Sequence, residues 1–188
     1  MDESVRQAMA RWPDVPAVYG WLGLDEAGRW RLQGEPITHP GLIAFINRNY
    51  ACDEHGAWFF QNGPQRGYVR LHYTPWVLHV DAAGRLRTHT GRAAESVRAA
   101  HVDDDGNLLL DTDAGPGLVE AGSLPAAAEW LRDADGEPAG AEAVAALQHG
   151  DAAVTLGYGG RRVPVSAIRR ADVARHFGFV PDPQPPRD

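Results

Sequence analysis

Apolar residues recur at helical spacing only in short stretches of this chain, and much of the rest alternates in ribbons closed by tight turns. Val5, Met9 and Trp12 fall at four- and three-residue spacing, which predicts a helix over the first dozen residues. Asp2 or Ser4 can cap it, and Pro13 and Pro16 end it. From Tyr19 the pattern changes. A tetrad with Asp first and Gly fourth occurs at Asp25–Gly28, Asp53–Gly56, Asp81–Gly84, Asp103–Gly106 and Asp133–Gly136. Aspartate accepts hydrogen bonds from backbone N–H groups a few residues on, and glycine adopts the left-handed conformation that closes a tight loop. Alternating residues such as Trp21-Leu22-Gly23-Leu24 and Arg29-Trp30-Arg31-Leu32 flank most of the tetrads, so each predicts a hairpin. The fifth is the exception, because Glu137-Pro138-Ala139-Gly140 after it lacks strand character.

A second helix is expected over His39–Tyr50, capped by Thr38, with Pro40 in the first turn and Leu42, Ile43, Ile46 and Tyr50 on its apolar stripe. Two strands follow, Trp58-Phe59-Phe60 and Tyr68–Tyr73, joined by a long polar loop at Gln61–Gly67; Pro75 then marks a bend or sheet edge. Further on, Pro125–Arg132, Pro138–Leu147 and Ser166–Phe177 read as helices, the last capped by Ser166. Val154–Tyr158 and Arg162–Ser166 form a hairpin across Gly159-Gly160. The fold class is therefore α+β, antiparallel hairpins with about five short helices. Each half offers a hairpin, a short helix and another hairpin, which fits two similar lobes or one irregular domain. On the two-lobe reading the divisions are an N-terminal helix at 1–18, lobes at 19–92 and 93–180, and a disordered tail at 181–188.

Composition narrows the function. The net charge of −7 lacks the basic footprint of nucleic-acid binding and disfavours an acidic membrane surface. All 18 basic residues are Arg, so Schiff-base lysines, Walker-type phosphate loops and Ser–Lys dyads are excluded. The single cysteine, Cys52, precludes a disulfide within the chain and fits a reducing compartment. With no basic-then-apolar N-terminal segment and no long apolar run, a cytoplasmic setting is expected.

No motif names a reaction. Cys52 has His55 three residues on, but across a turn both can face solvent, and a partly buried structural cysteine is the plainer reading. None of the four serines lies in a Gly-x-Ser-x-Gly elbow. Asp103-Asp104-Asp105-Gly106 resembles part of a calcium loop but lacks its first and twelfth ligands, so it is a turn first. Gly157-Tyr158-Gly159-Gly160 lacks the strand–glycine–helix order of a dinucleotide loop. His79 and His89 share strand parity with Arg85 and Arg87, and a neighbouring strand would add Arg70 and His72. A metal-dependent enzyme using His72, His79 and His89 is thus the alternative function, with a solvated polar face as the plainer reading. The leading function is a non-enzymatic ligand- or protein-binding module without a cofactor. Its candidate surface is Gln61, Asn62, Gln65 and Arg66 beside Trp58 and Trp76, with Arg70 and His72 nearby, a mixture of donors, acceptors and aromatic surface found in binding sites. Its partner would be a small polar ligand or a protein. The ligand's identity, the pathway and the oligomeric state stay open.

The segments Gly20-Trp21-Leu22, Gly34-Glu35-Pro36-Ile37-Thr38-His39-Pro40-Gly41-Leu42, Trp58–Arg66 and Tyr73-Thr74-Pro75-Trp76 carry a family resemblance. The stretch from Tyr19 to Val80 resembles a family of small proteobacterial proteins of unknown function. It is more faintly similar to a second uncharacterised bacterial family of repeated-motif fold, for which a signalling role has been suggested. The resemblance implies a two-part α+β architecture and assigns no catalytic residue.

Overall fold

The computed structural model describes residues 1–12 and 15–186. The aspartate–glycine tetrads dominate its local structure. In all five, the aspartate Oδ1 accepts the N–H groups two and four residues on, at 2.8–3.0 Å. The glycine N–H donates back to the aspartate carbonyl. The glycines have φ between 72° and 87°, a conformation costly to any residue with a Cβ. Two tetrads share a further device: Oδ2 of Asp25 accepts Nε of Arg29 and Arg31, and Oδ2 of Asp81 accepts Nε of Arg85 and Arg87. The calcium-like run is likewise a turn, since the Asp103 carboxylate is taken up by N–H groups of Asp105 and Asn107 and by the Asn107 amide.

The chain divides into two compact units, Met1–Pro75 with Gly178–Asp188, and Trp76–Phe177. The first contains α1 (Glu3–Arg11), β1 (Val18–Leu24), β2 (Trp30–Leu32), β3 (Glu35–Pro36), α2 (Pro40–Arg48), β4 (Tyr50–Cys52), β5 (Trp58–Asn62) and β6 (Gln65–Leu71). Its sheet runs β3-β2-β1-β6-β5-β4, with β1 and β6 parallel and every other pair antiparallel. The second contains β7 (Trp76–Val80), β8 (Leu86–Thr88), β9 (Ala93–Ala94), β10 (Val97–Asp103), β11 (Leu108–Thr112) and β12 (Gly115–Val119). It continues with α3 (Leu124–Ala128), β13 (Leu131–Arg132), α4 (Ala141–His149), β14 (Val154–Tyr158), β15 (Arg161–Ile168) and α5 (Val173–Phe177). Its sheet order is β13-β14-β15-β10-β11-β12-β7-β8-β9.

From β9 to β10 this second order is the first with every strand advanced by six, and β7 and β12 are again the parallel pair. Registers correspond as well: Gln61 faces Arg66 in the first unit, and Asp111 faces Pro116 in the second. The hairpins are thus antiparallel as expected, and parallel pairings join them.

Each unit buries its own core. Leu24, Trp30, Ile46 and Val69 are buried in the first, and Leu78, Leu86, Leu109 and Leu156 in the second. Each such side chain contributes roughly 1.5–3 kcal/mol through removal from water. The Trp30 indole N–H donates to Oδ1 of Asn47 on α2. Helix α2 is capped by His39 rather than Thr38, its Nδ1 accepting the Leu42 N–H at 3.2 Å. Ser4 lies inside α1, and the N-cap Asp2 makes no side-chain cap bond; its backbone N–H instead donates to Oδ1 of Asn49. Ser166 lies within β15, because that strand extends to Ile168 beside β10. The helix expected over Pro125–Arg132 stops at Ala128, and Leu131 pairs with Leu156.

The expected free tail is instead docked through Pro183: Leu71 N–H donates to the Pro181 carbonyl at 2.7 Å, and Pro183 is buried. Pro13, expected to end α1, and the last two positions of the tail, Arg187 and Asp188, lie outside the described residues.

Candidate functional site

The hairpin of β5 and β6 decides the site. Asn62 pairs with Gln65, so the connection is a tight turn at Gly63-Pro64 rather than a long loop, and Gly63 takes φ of 57°. This puts Gln61 and Arg66 in the strands, directly opposite one another. Alternation then gives Phe59, Gln61, Arg66 and Tyr68 one sheet face, and Trp58, Asn62 and Gln65 the other.

On the first face lies a cavity of about 360 Å³. Gln61, Arg66 and Tyr68 form its polar side, with Pro64 at the turn. Met9 and Trp12 from the helical segment, with Val15 and Ala17 before β1, form its apolar side. Trp12 is 53% exposed, so one wall is open to water.

Gln61 is 0% exposed. Its Nε2 donates to the Gly63 carbonyl at 3.0 Å, while its Oε1 is buried and, among the described residues, accepts no hydrogen bond. A buried acceptor without a partner costs about 1–3 kcal/mol. The Arg66 guanidinium lies over the Phe59 ring, 4.5 Å from its centroid. Tyr19 stacks on Tyr68 at 4.7 Å, and the Tyr68 hydroxyl donates to Oδ2 of Asp53 at 3.0 Å. Burial pushes the Tyr68 phenol above its ordinary range; Arg66 acts against the rise and the Asp53 charge adds to it. Burial also works to raise Asp53, but the N–H groups of Ala57 and His55 and the Tyr68 hydroxyl hold its carboxyl below the usual value. Among the described residues the face therefore carries a phenol that donates to Asp53, a guanidinium and an acceptor without a donor.

The structure thus brings Gln61 and Arg66 together and separates the other expected residues from them. Trp58 packs against Tyr50 at 4.8 Å on the opposite face. Asn62 is exposed, and Gln65 donates to the Pro16 carbonyl. Arg70 lies 3.9 Å from Asp182 in the docked tail, and His72 is exposed beyond the end of β6. Trp76 belongs to the second unit, where it is 4% exposed and donates its indole N–H to the Ala114 carbonyl.

The histidine alternative is not supported. Among the described residues no group of three or more His, Cys, Asp or Glu side chains is placed to hold a metal ion. His79 sits 3.4 Å from Glu120. His89 N–H donates to the Val77 carbonyl, and the His89 Nδ1 accepts the Val77 N–H, so the ring replaces a backbone carbonyl in the ladder. Burial, with His79 adding to it, depresses His89 to about 3, so it stays neutral. Cys52 is an exposed residue whose thiol is still partly withdrawn from water; that desolvation and the Asp53 charge raise its pKa, and His55 faces Glu54. That pair offers no activated nucleophile.

Tyr68, Met9, Trp12 and Pro64 were missed as site residues. Met9 and Trp12 were legible only as a helix stripe. Reading Gly63-Pro64 as a two-residue turn would have aligned Gln61 with Arg66 and Phe59 with Tyr68.

The unit repeat isolates this chemistry. The positions matching Gln61, Arg66 and Tyr68 in the second unit hold Asp111, Pro116 and Leu118. The strand pairing therefore does not require an amide, a guanidinium or a phenol there. What emerges is a two-unit α+β protein with a ligand-sized polar cavity in its first unit.

Residues 1–184 match the model of the family DUF2944, described as "Protein of unknown function (DUF2946)", and the chain belongs to this family. No curated protein matches. A DUF1285 family protein from Silicibacter pomeroyi DSS-3 shares the fold, with a TM-score of 0.57 at 16% identity over 82% of this chain and 85% of that one. A DUF1285 family protein from Shewanella baltica OS155 gives a TM-score of 0.40 at 16% identity, over 54% and 85%. The expectation of a family of unknown function is met. Among the described residues no helix is long and apolar enough to cross a membrane.

Proposed function

We propose that the protein is a non-enzymatic binding module that holds a small polar ligand in the cavity of its first unit. The observation that carries this reading is Gln61: a fully buried amide beside a cavity, with an acceptor oxygen that no donor among the described residues satisfies. A ligand donor would satisfy it. The neighbouring groups suit recognition: a guanidinium held in place by an aromatic ring, and a phenol oriented by Asp53. A volume of about 360 Å³ lies at the small end of ligand sites, roughly 300–1,000 Å³. A cytoplasmic setting accords with the single exposed cysteine.

The test is a fragment screen by thermal shift and ligand-observed NMR on the full chain, on Gln61→Leu and on Arg66→Met. The reading predicts polar fragments whose binding is lost in both variants while each variant melts cooperatively. Hits that bind the variants and the parent protein equally, or an absence of hits, would contradict it.

A further inference from the structure

We infer that the cavity takes a small organic monocarboxylate that also carries an N–H or O–H donor and a compact apolar body, the groups of an N-acylated hydrophobic amino acid. This rests on the binding reading above and specifies its ligand.

Arg66 sets the charge. Its guanidinium carbon lies 4.5 Å from the Phe59 ring centroid and the group also neighbours the Tyr68 hydroxyl; with five N–H donors, a guanidinium beside these two groups can still pair with a planar acceptor. Arg29, Arg31, Arg48, Arg85, Arg87 and Arg98 each have a carboxylate within ion-pair distance. Among the described residues Arg66 has none within 4.0 Å, and the acid on its own face, Asp53, is occupied by Tyr68, His55 and Ala57. A carboxylate matches the guanidinium fork with two parallel bonds. Among the described residues one cationic group lines the cavity, which suits a single negative charge better than a phosphate dianion.

Gln61 sets the neighbour of that charge. Among the described residues its Oε1 accepts no hydrogen bond, so a ligand donor completes it. Gln61 and Arg66 are directly opposite in register, which places their Cβ atoms roughly 4.5–5.5 Å apart. The Gln61 amide turns toward Gly63 and the Arg66 guanidinium toward Phe59, so the ligand's donor and acid are separate groups of one small molecule, as the amide N–H and carboxylate of an N-acyl amino acid are. Met9, Trp12, Val15 and Pro64 supply the apolar wall for its side chain.

The experiment is isothermal titration calorimetry of the full chain with N-acetyl-L-phenylalanine and N-acetyl-L-leucine, their methyl esters, and inorganic phosphate. The inference predicts that the acids bind and that esterification weakens binding at least tenfold. It predicts that Arg66→Met abolishes this acid–ester difference, and that Gln61→Leu weakens the acids, each variant keeping a cooperative melt. Esters binding as tightly as acids, or phosphate binding in their place, with either signal lost in Gln61→Leu, would overturn the carboxylate assignment and leave the cavity a binding site. No binding by any of the three overturns the assignment alone, because the fragment screen judges the cavity independently.

Discussion

Replacing Gly56 with alanine tests the close contact that fixes the C-terminal segment in the first unit. Gly56 closes the Asp53 turn with φ of 81°. A Cβ there would overlap the carbonyl oxygen of Gly178, and it would approach the Phe179 Cα to 3.2 Å. That contact is backbone, so no side chain can swing aside. The same two segments are linked by the Val180 N–H donating to the Gly56 carbonyl at 2.9 Å, and Phe179 is buried beside them. Gly34→Ala is the control in the same unit: φ is 89°, and nothing lies within 4 Å of the added methyl group. The control should cost about 1–2 kcal/mol, the penalty of a left-handed alanine. Gly56→Ala carries that penalty plus about 1–3 kcal/mol for overpacking and displacement of the segment. Urea unfolding monitored by tryptophan fluorescence measures both. If Gly56→Ala is no more destabilised than Gly34→Ala, the docking of Gly178–Pro183 described above is wrong.

Three further outcomes follow from the same geometry. Gln61→Leu should leave the ligand-free protein as stable as the parent or more so by about 1 kcal/mol, since it removes a buried unsatisfied acceptor; a loss of several kcal/mol in a thermal melt would mark Gln61 as structural. His89 is neutral in the folded state and held near 3 against an ordinary 6.5. The unfolded chain therefore binds the extra proton, so this stabilisation is complete above pH 6.5 and is lost as pH falls toward 3, on the order of 4 kcal/mol in all. In His89→Asn the stability slope between pH 6.5 and 4 should flatten, and an unchanged slope in urea titrations would refute the assignment. Asp103→Ala strips the acceptor from two turn N–H groups and should cost about 2–3 kcal/mol by chemical denaturation, so a change under about 0.5 kcal/mol would show that the turn closes without its carboxylate.

The turns were legible because their chemistry is local. Aspartate satisfies N–H groups two and four residues on, and glycine relieves a positive φ, within a stretch of five residues. Even the fifth tetrad, whose flank lacks strand character, makes the same turn, with Asp133 accepting from Asp135 and Glu137. Helical stretches were legible too, by apolar periodicity in the first two, although ends shifted where a strand competed, as at Ser166. The parallel joins between hairpins were not legible, since the pairing of Leu22 with Val69 depends on residues far apart in sequence. Half of the site followed suit. Gln61 and Arg66 stand out as polar residues among aromatics, but which face they share depends on a turn of two residues rather than seven. Met9 and Trp12 line the cavity through the placement of the N-terminal helical segment, a long-range property that their own spacing does not encode.

The central claim is that the cavity beside Gln61 and Arg66 binds a ligand. The chain has only two methionines, Met1 and Met9, and only Met9 lines the cavity. Methyl-labelled methionine therefore gives one reporter inside the site and one outside it. On titration of the full chain with N-acetyl-L-phenylalanine, or with any polar fragment from the screen, the account predicts that the Met9 methyl resonance moves and saturates while Met1 stays fixed. A ligand that binds while leaving Met9 unmoved, or that shifts both methyls alike, would contradict it.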